Sequence, residues 1–414
     1  MAERLDNILK KYVAEGTATK DKLLGAAFVV VNKDGILYQG SAGRTRLAAD
    51  SPPFTPDSIT WIASMTKLVT VTCIMQLVER GLLALDADLR PLVPELAAAQ
   101  ILKGFRDSGE PILVDNPNPV TLRHLLTHTA GLGADVADPD LMRWSEWVGR
   151  TKTLVSCTRE GFTTPLRFAP GEGWYYGTGT DWAGLVLEGA VGERLGRYME
   201  REVWGKLGMR DTGFVLDKVL RGEGGEDKEA RFVPISERDA ETGELREGQP
   251  VFPADPEVES GGGGLYSSAG DYAKLVRALL RALAGEEGEG VPVRKKTAEE
   301  MFRPQLDDTQ RAWLKGILLR YKAAPEFPDD IKVDHGIGGA MNMEDIPGKR
   351  KKGSIKWTGM PNSHWWIDPQ TGIGGILFVN VTPHNDPVVY KLYDELELAL
   401  YGELLPSLGV ASSS

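Results

Sequence analysis

Residues 61–86 read WIASMTKLVTVTCIMQLVERGLLALD, and their apolar positions recur at helical spacing as far as Gly81. This pattern predicts a long buried helix that begins at the tetrad SMTK, Ser64 to Lys67. Residues three apart share a helix face, so the Lys67 amine can reach the Ser64 hydroxyl. A serine becomes a nucleophile when a neighbouring base takes its proton. Chance copies of Ser-x-x-Lys lie mostly on solvated helices, but this copy opens an apolar helix, which favours catalysis.

A second motif, WYYG at Trp174 to Gly177, follows the turn-like run PGEG at residues 170–173. A tyrosine beside a serine–lysine pair can relay a proton to the leaving group and, as phenolate, can act as a general base. The alternative is that Tyr175 and Tyr176 are half-buried aromatic residues that pack under a loop. The presence of the first motif favours the catalytic interpretation.

A third motif, KWTGM at Lys356 to Met360, is typical of a strand edge. A backbone N–H there, paired with that of Ser64, could bind the oxyanion of a tetrahedral intermediate. Gly359, as a small residue beside the serine, would let substrate approach the strand. The alternative is a plain core strand with a bend at this glycine.

The composition is that of an ordinary globular protein. The 414 residues are 42% hydrophobic and 26% charged, and the length allows two domains. The net charge of −11 argues against nucleic acid, whose phosphates would be repelled. The two cysteines, Cys73 and Cys157, argue against a disulfide framework. Residues 1–16 lack the apolar core of a signal peptide, and no stretch is long enough to span a membrane, so we expect a cytoplasmic protein.

Strand patterns occur at both ends of the chain. GAAFVVVNKDGILYQGSAG at residues 25–43 predicts a hairpin that turns at Asp34-Gly35. Late in the chain, SIKWTGM, SHWWIDP and GIGGILFVN are short strand-like runs, and KLYDELELALYGELL predicts a closing helix. Strands from both ends can therefore form one sheet.

Between these strands, residues 91–208 are expected to be mostly helical. The polar segment 218–260 is expected to be a surface excursion with a hairpin near Thr242-Gly243. The predicted domains are an α/β domain formed by residues 1–61 and 262–414, and a mostly helical domain at 62–261.

The three motifs, in this order, resemble the serine β-lactamase-like superfamily, whose β-lactamases and penicillin-binding proteins carry Ser-x-x-Lys. The closer similarity is to family VIII esterases, where a Trp-x-Gly strand replaces Lys-Thr-Gly, as Trp357 to Gly359 does here. Further segments are similar to lovastatin-type acyltransferases: HLLTHTAGL (124–132), WYYGTGTDWAG (174–184), GGGGLYSS (261–268) and KGSIKWTGMPNSHWWIDP (352–369).

The resemblance implies a β-lactamase/transpeptidase-like fold of the α/β (α+β) class, with an antiparallel sheet flanked by helices and an inserted, mostly helical domain. It implies Ser64 as the nucleophile, Lys67 as its base partner and Tyr176 as the acid/base phenol, with Tyr175 as the competing choice. It also implies an oxyanion hole formed by the backbone N–H groups of Ser64 and Met360.

Two departures from the β-lactamase pattern argue against β-lactam substrates. Thr178 stands where those enzymes have an asparagine amide, and Trp357 replaces a lysine suited to a substrate carboxylate. Both leave acyl transfer intact. The residues expected to contact substrate are Trp174, Trp357, Gly359, Trp365 and Trp366.

These features predict a serine hydrolase that acts on carboxylic esters through an acyl-enzyme on Ser64, a carboxylesterase that can have transesterase activity. The first alternative is a dedicated acyltransferase that moves a short acyl chain to an alcohol of a secondary metabolite. Weaker alternatives are a β-lactamase or peptidase, and a catalytically dead binding protein. The expected partners are a small ester or thioester acyl donor and water or an alcohol as acceptor, with no nucleic acid, membrane, metal or cofactor.

Other sites are weaker candidates. The sequence has no Gly-x-Ser-x-Gly elbow for a Ser-His-Asp hydrolase. His124 and His128 have the spacing of a zinc pair, but no His-Glu-x-x-His accompanies them. The run Gly261–Gly264 could cradle phosphate, but it lacks the Lys-Ser/Thr of a P-loop, so a flexible wall near the active site is the preferred interpretation.

Overall fold

A computed structural model describes residues 2–222, 225–321 and 324–409 of the chain. Residues 223–224 of the predicted excursion, and residues 1, 322–323 and 410–414 of the predicted α/β domain, lie outside the described residues. The strands are β1 (Gly25–Asn32), β2 (Ile36–Gly43), β3 (Ile59–Trp61), β4 (Ile101–Phe105), β5 (Pro111–Val114), β6 (Ser236–Arg238), β7 (Leu245–Glu247), β8 (Tyr266–Ser268), β9 (Val333–Gly336), β10 (Gly339–Asn342), β11 (Ile355–Thr358), β12 (His364–Asp368), β13 (Ile373–Phe378) and β14 (Val381–Thr382).

The α-helices are α1 (Ala2–Tyr12), α2 (Thr66–Glu79), α3 (Pro94–Ala97), α4 (Leu122–Leu126), α5 (Pro139–Trp147), α6 (Arg159–Phe162), α7 (Gly179–Val191), α8 (Leu195–Met199), α9 (Gly205–Leu207), α10 (Leu216–Arg221), α11 (Ala269–Leu283), α12 (Lys295–Met301), α13 (Asp308–Tyr321), α14 (Pro387–Ala399) and α15 (Leu405–Ser407). No helix in the described ranges is long and apolar enough to cross a membrane.

The main sheet is antiparallel and joins strands from the two ends of the chain in the order β2-β1-β13-β12-β11-β10-β9. The predicted hairpin forms β1 and β2, and Asn32 Oδ1 accepts the N–H groups of Asp34 and Gly35 in the turn. On its other side β1 pairs with β13, where Val30 lies opposite Gly375. The α/β fold with an antiparallel sheet is confirmed.

Helices cover both faces of this sheet. Along β1, Val29 and Val31 face one apolar core, while Phe28 and Val30 face the other. The first core includes residues of α2 and α11, and the second includes residues of α1 and α14. Burial on both faces explains why β1 is apolar at nearly every position rather than alternating.

The middle of the chain contains α3 to α9 together with a feature that the sequence did not reveal, the hairpin β4–β5. The hairpin predicted near Thr242-Gly243 is confirmed, since β6 pairs with β7 around it. One continuous core includes residues from both predicted domains, for example Val29 from the α/β domain and Leu68 from the mostly helical domain. The domain limits at residues 61 and 262 therefore stay a prediction.

We predict that Gly375→Ala destabilises the fold by about 1–3 kcal/mol, because a Cβ at Gly375 would overlap the buried indole of Trp366. The matched control is Gly189→Ala on α7, where a Cβ meets no atom within 4 Å and alanine should stabilise by up to about 1 kcal/mol. Urea unfolding of both variants measures the difference. Equal stability of the two variants would contradict the packing described here.

Candidate active site

Ser64 lies between β3 and α2 in a short 3₁₀ turn, Ala63–Met65. Ala63 has a φ of +45°, a conformation that costs energy for a residue with a Cβ and recurs at functional sites. Neighbouring groups hold the turn, because the hydroxyl of Tyr272 donates to the Met65 carbonyl at 2.8 Å. The Leu265 N–H also donates to the hydroxyl of Thr66, the residue that follows the turn, at 3.0 Å.

The structure brings Ser64, Lys67 and Tyr176 into direct contact. The Tyr176 hydroxyl donates to Ser64 Oγ at 2.6 Å, and Lys67 Nζ lies 3.4 Å from the same oxygen. Lys67 Nζ also lies 4.7 Å from the centre of the Tyr176 ring. An amine and a phenol therefore flank one serine oxygen, which is the arrangement that activates a serine and returns protons to a leaving group.

Lys67 is only 5% exposed and is held by the glycine run. Its Nζ donates to the carbonyl of Gly262 at 2.6 Å. Asp181 on α7 positions that loop, because its Oδ1 accepts the Ser260 hydroxyl at 2.5 Å and the Gly262 N–H at 3.0 Å. The run Gly261–Gly264 thus lies beside the site, as expected, but it is packed and hydrogen-bonded rather than loose.

Asp181 is a site residue that sequence reasoning missed. It is buried, and burial raises the pKa of its carboxyl group above the ordinary value. A Cβ at Gly262 would collide with this carboxylate, so glycine is required where the loop passes it. The sequence feature that could have revealed Asp181 is a carboxylate in the mainly apolar stretch TDWAGLVL, residues 180–187.

Behind Tyr176 lies a cluster of aromatic rings formed by His128, His335, Trp174 and Trp357. The ring centre of His128 is 4.7 Å from that of Tyr176 and 5.6 Å from that of His335. Burial lowers the pKa of His128 well below its usual value and that of His335 to about 4. Both imidazoles are therefore neutral at pH 7.

His124 and His128 have the spacing of a zinc pair, which the sequence makes only a weak candidate for a metal site. His128 lies in the cluster behind Tyr176, and within the described ranges no group of three or more His, Cys, Asp or Glu residues could hold a metal ion. His335 was not recognised as a site residue, because its approach to His128 depends on tertiary packing.

The end of β11 approaches the serine segment closely. A Cβ at Gly359 would lie 2.5 Å from the carbonyl oxygen of Ile62, two residues before Ser64. Glycine is therefore needed for the strand to approach the serine backbone, which is a different reason from the expected access of substrate. Met360 follows, 37% exposed, and in the described part of the chain its N–H has no hydrogen-bond acceptor.

Three of the tryptophans expected to contact substrate do not reach the site surface. Trp174, Trp365 and Trp366 are at most 1% exposed. The prediction for Trp366 is wrong because its ring lies on the opposite face of the sheet, 6.0 Å from Phe28. Trp174 and Trp365 belong to the core behind the site. Trp357 alone of the set contacts Tyr176, with 5.3 Å between ring centres.

Known proteins share this architecture. The family model described as Beta-lactamase matches residues 5–400. The chain is similar to "Lovastatin esterase" of Penicillium rubens, with 33% identity over 86% of this chain and 88% of that protein. It is also similar to "Monacolin J acid methylbutanoyltransferase" of Aspergillus terreus, with 32% identity over 85% of this chain and 84% of that protein.

A solved structure and a further sequence relative also resemble this chain. "Simvastatin Synthase (LOVD)" of Aspergillus terreus, as the LovD6 mutant, has a TM-score of 0.83 and 32% identity, covering 93% of this chain and 91% of that chain. A further similarity is to "Esterase EstB" of Burkholderia gladioli, with 29% identity over 92% of this chain and 90% of that protein.

We predict that acidification destabilises the protein through its buried neutral histidines. A pKa of about 4 for folded His335, against about 6.5 unfolded, means that the unfolded state binds more protons as the pH falls. Its contribution is complete above pH 6.5 and decreases towards pH 4, with a loss of about 2 kcal/mol at pH 5.

His335→Phe tests this assignment, because phenylalanine fits among the same rings without titrating. Urea unfolding at pH 7 and pH 5 should show a smaller stability difference for the variant than for the native chain. An unchanged difference would show that His335 does not contribute.

Proposed function

This chain belongs to the Beta-lactamase family, and we propose that it hydrolyses carboxylic esters through an acyl-enzyme on Ser64. It is an enzyme of the serine esterase and acyltransferase type with the β-lactamase-like fold. The observation that carries the proposal is the contact of Ser64 Oγ with both the Tyr176 hydroxyl and the Lys67 amine.

In the proposed acylation step, Ser64 Oγ attacks the ester carbonyl and passes its proton to the amine of Lys67. The Tyr176 hydroxyl gives its proton to the departing alkoxide, which leaves as the alcohol. In deacylation, the Tyr176 phenolate takes a proton from water or an alcohol as that oxygen attacks the acyl carbon. Lys67 then returns its proton to Ser64, so the resting enzyme is regenerated.

The negative charge that develops on the carbonyl oxygen needs donors that are already in place. We assign the backbone N–H groups of Ser64 and Met360 to this role. The proposal is supported by the free N–H of Met360 and by the contact of Gly359 with the backbone preceding Ser64.

The proposed substrates are small ester or thioester acyl donors, with water or an alcohol as acceptor. The surface beside Tyr176 is the indole of Trp357 rather than a lysine, so the site favours an uncharged acyl group over a carboxylate. A cytoplasmic location is also part of the proposal. It is consistent with the free, buried thiols of Cys73 and Cys157.

Ser64→Ala should abolish the acyl adduct that intact-protein mass spectrometry detects after incubation with p-nitrophenyl acetate. Tyr176→Phe should lower kcat about 100-fold or more, because the proton donor to the leaving group is lost. Tyr175→Phe is the matched control and should keep kcat within a few-fold of native. A persistent adduct in Ser64→Ala would refute the assignment of the nucleophile. A kcat of Tyr175→Phe that falls as far as expected for Tyr176→Phe would mean that Tyr175 is the acid/base phenol.

Acyl transfer to an alcohol is the second candidate function, favoured by the 32% identity to a methylbutanoyltransferase. A transferase must keep water from the acyl-enzyme until the acceptor binds, and the half-buried Ser64 and Tyr176 suit that requirement.

We expect a vinyl ester supplied with increasing alcohol to give a saturating fraction of transfer product, because a bound alcohol competes with water at the acyl-enzyme. Chromatography of ester product and free acid measures the partition. Formation of free acid alone at every alcohol concentration would leave the esterase as the only function.

A further inference from the structure

The turn that carries Met360 is closed by its own backbone. The Gly359 N–H donates to the Ser363 carbonyl at 2.8 Å, and the Asn362 N–H donates to the Gly359 carbonyl at 2.9 Å. Asn362 has a φ of +66°, a left-handed conformation that asparagine tolerates better than most residues. The position of the Met360 N–H therefore depends on how firmly this turn is held.

Asn362 is fully buried, and its side chain makes four hydrogen bonds to one neighbouring segment, residues 381–386. Its Nδ2 donates to the carbonyls of Val381 and Pro383, both at 2.8 Å. Its Oδ1 accepts the N–H groups of Asn385 at 2.8 Å and of Asp386 at 3.2 Å. Every donor and acceptor of the amide that can reach the segment is in use.

The segment 381–386 is itself fixed to the rest of the fold. Asp386 caps the first turn of α14 by accepting the N–H groups of Val388 and Val389. It also pairs with the buried Arg238 at 2.5 Å. Asn362 thus ties the turn to a rigid helix N-terminus rather than to a free loop.

On its other side the turn contacts the nucleophile segment, through Gly359 and the carbonyl of Ile62. The turn is therefore clamped between the backbone beside Ser64 and the segment 381–386.

We propose that Asn362 is a positioning residue of the oxyanion hole that holds the Met360 N–H at the site of the developing negative charge. This inference rests on the proposed function, because it requires an acyl transfer step at Ser64. An oxyanion donor acts through its placement, and small displacements of such donors lower the rate of the chemical step more than they lower substrate binding.

Asn362→Gly is the main test, because glycine keeps the left-handed backbone and removes all four side-chain bonds. We expect kcat for a p-nitrophenyl ester to fall about 10–100-fold with little change in KM. The matched control is Thr382→Val, which removes a bond from the same segment to the Ser236 carbonyl on the side away from the turn. Its kcat should stay native.

A second measurement separates positioning from a general loss of structure. A thionoester carries sulfur in place of the carbonyl oxygen and accepts hydrogen bonds from the N–H groups weakly. The native enzyme should strongly prefer the ester, and Asn362→Gly should reduce that preference about tenfold. A fall in kcat with an unchanged ester-to-thionoester ratio would mean a structural role only and would overturn the proposal, as would a native kcat.

If Asn362→Gly fails to fold, Asn362→Asp replaces it in both measurements, because the carboxylate cannot make the two bonds that Nδ2 donates to Val381 and Pro383. A native kcat and ratio in that variant would then overturn the proposal. The native chain tests the underlying function separately, by acylation of Ser64 in mass spectrometry. An unacylated Ser64 would refute both proposals, whereas an acylated Ser64 with an unaltered Asn362→Gly enzyme would refute this one alone.

Discussion

A lysine amine almost removed from water is the constraint on which the site depends. Lys67 is buried on an apolar helix, and a buried amine is costly unless its hydrogens find acceptors. The Gly262 carbonyl supplies one acceptor and Ser64 Oγ is within reach of another hydrogen. Holding that carbonyl in place in turn requires Asp181, a second buried polar group. The Ser64–Lys67 pair thus brings with it a network of buried polar groups in an otherwise apolar core.

The backbone around the serine is also tightly constrained. Ala63 is held at a positive φ, Gly359 has no Cβ where the Ile62 carbonyl approaches, and Gly262 has none where Asp181 approaches. These three positions come from three distant parts of the chain. The two glycines allow segments to come closer than side chains would permit. In this setting an amine and a phenol lie against one hydroxyl.

The parts of this arrangement that follow from local pattern were predictable. The spacing of Ser64 and Lys67 on one helix turn and the strand-like sequence before Gly359 both carry their geometry within a few residues. Asp181, His335 and Asn362 could not be found this way, because their roles depend on partners remote in sequence. The error at Trp366 was avoidable in principle, since adjacent residues on a strand point to opposite faces and Trp365 and Trp366 cannot line one pocket.

The pairing of β1 with β13 has a consequence for how the chain is made. One edge of β1 pairs with the nearby β2, where Val30 lies opposite Tyr38, but the other edge pairs only with β13, where Val30 lies opposite Gly375. A ribosome must therefore add more than 300 residues before that second edge is covered. At the usual speed of translation this takes on the order of tens of seconds. Throughout that interval the run FVVV is an unprotected apolar strand, the kind of segment that associates with copies of itself. Yield in a cell should therefore depend on chaperones that shield nascent chains, however stable the finished protein is.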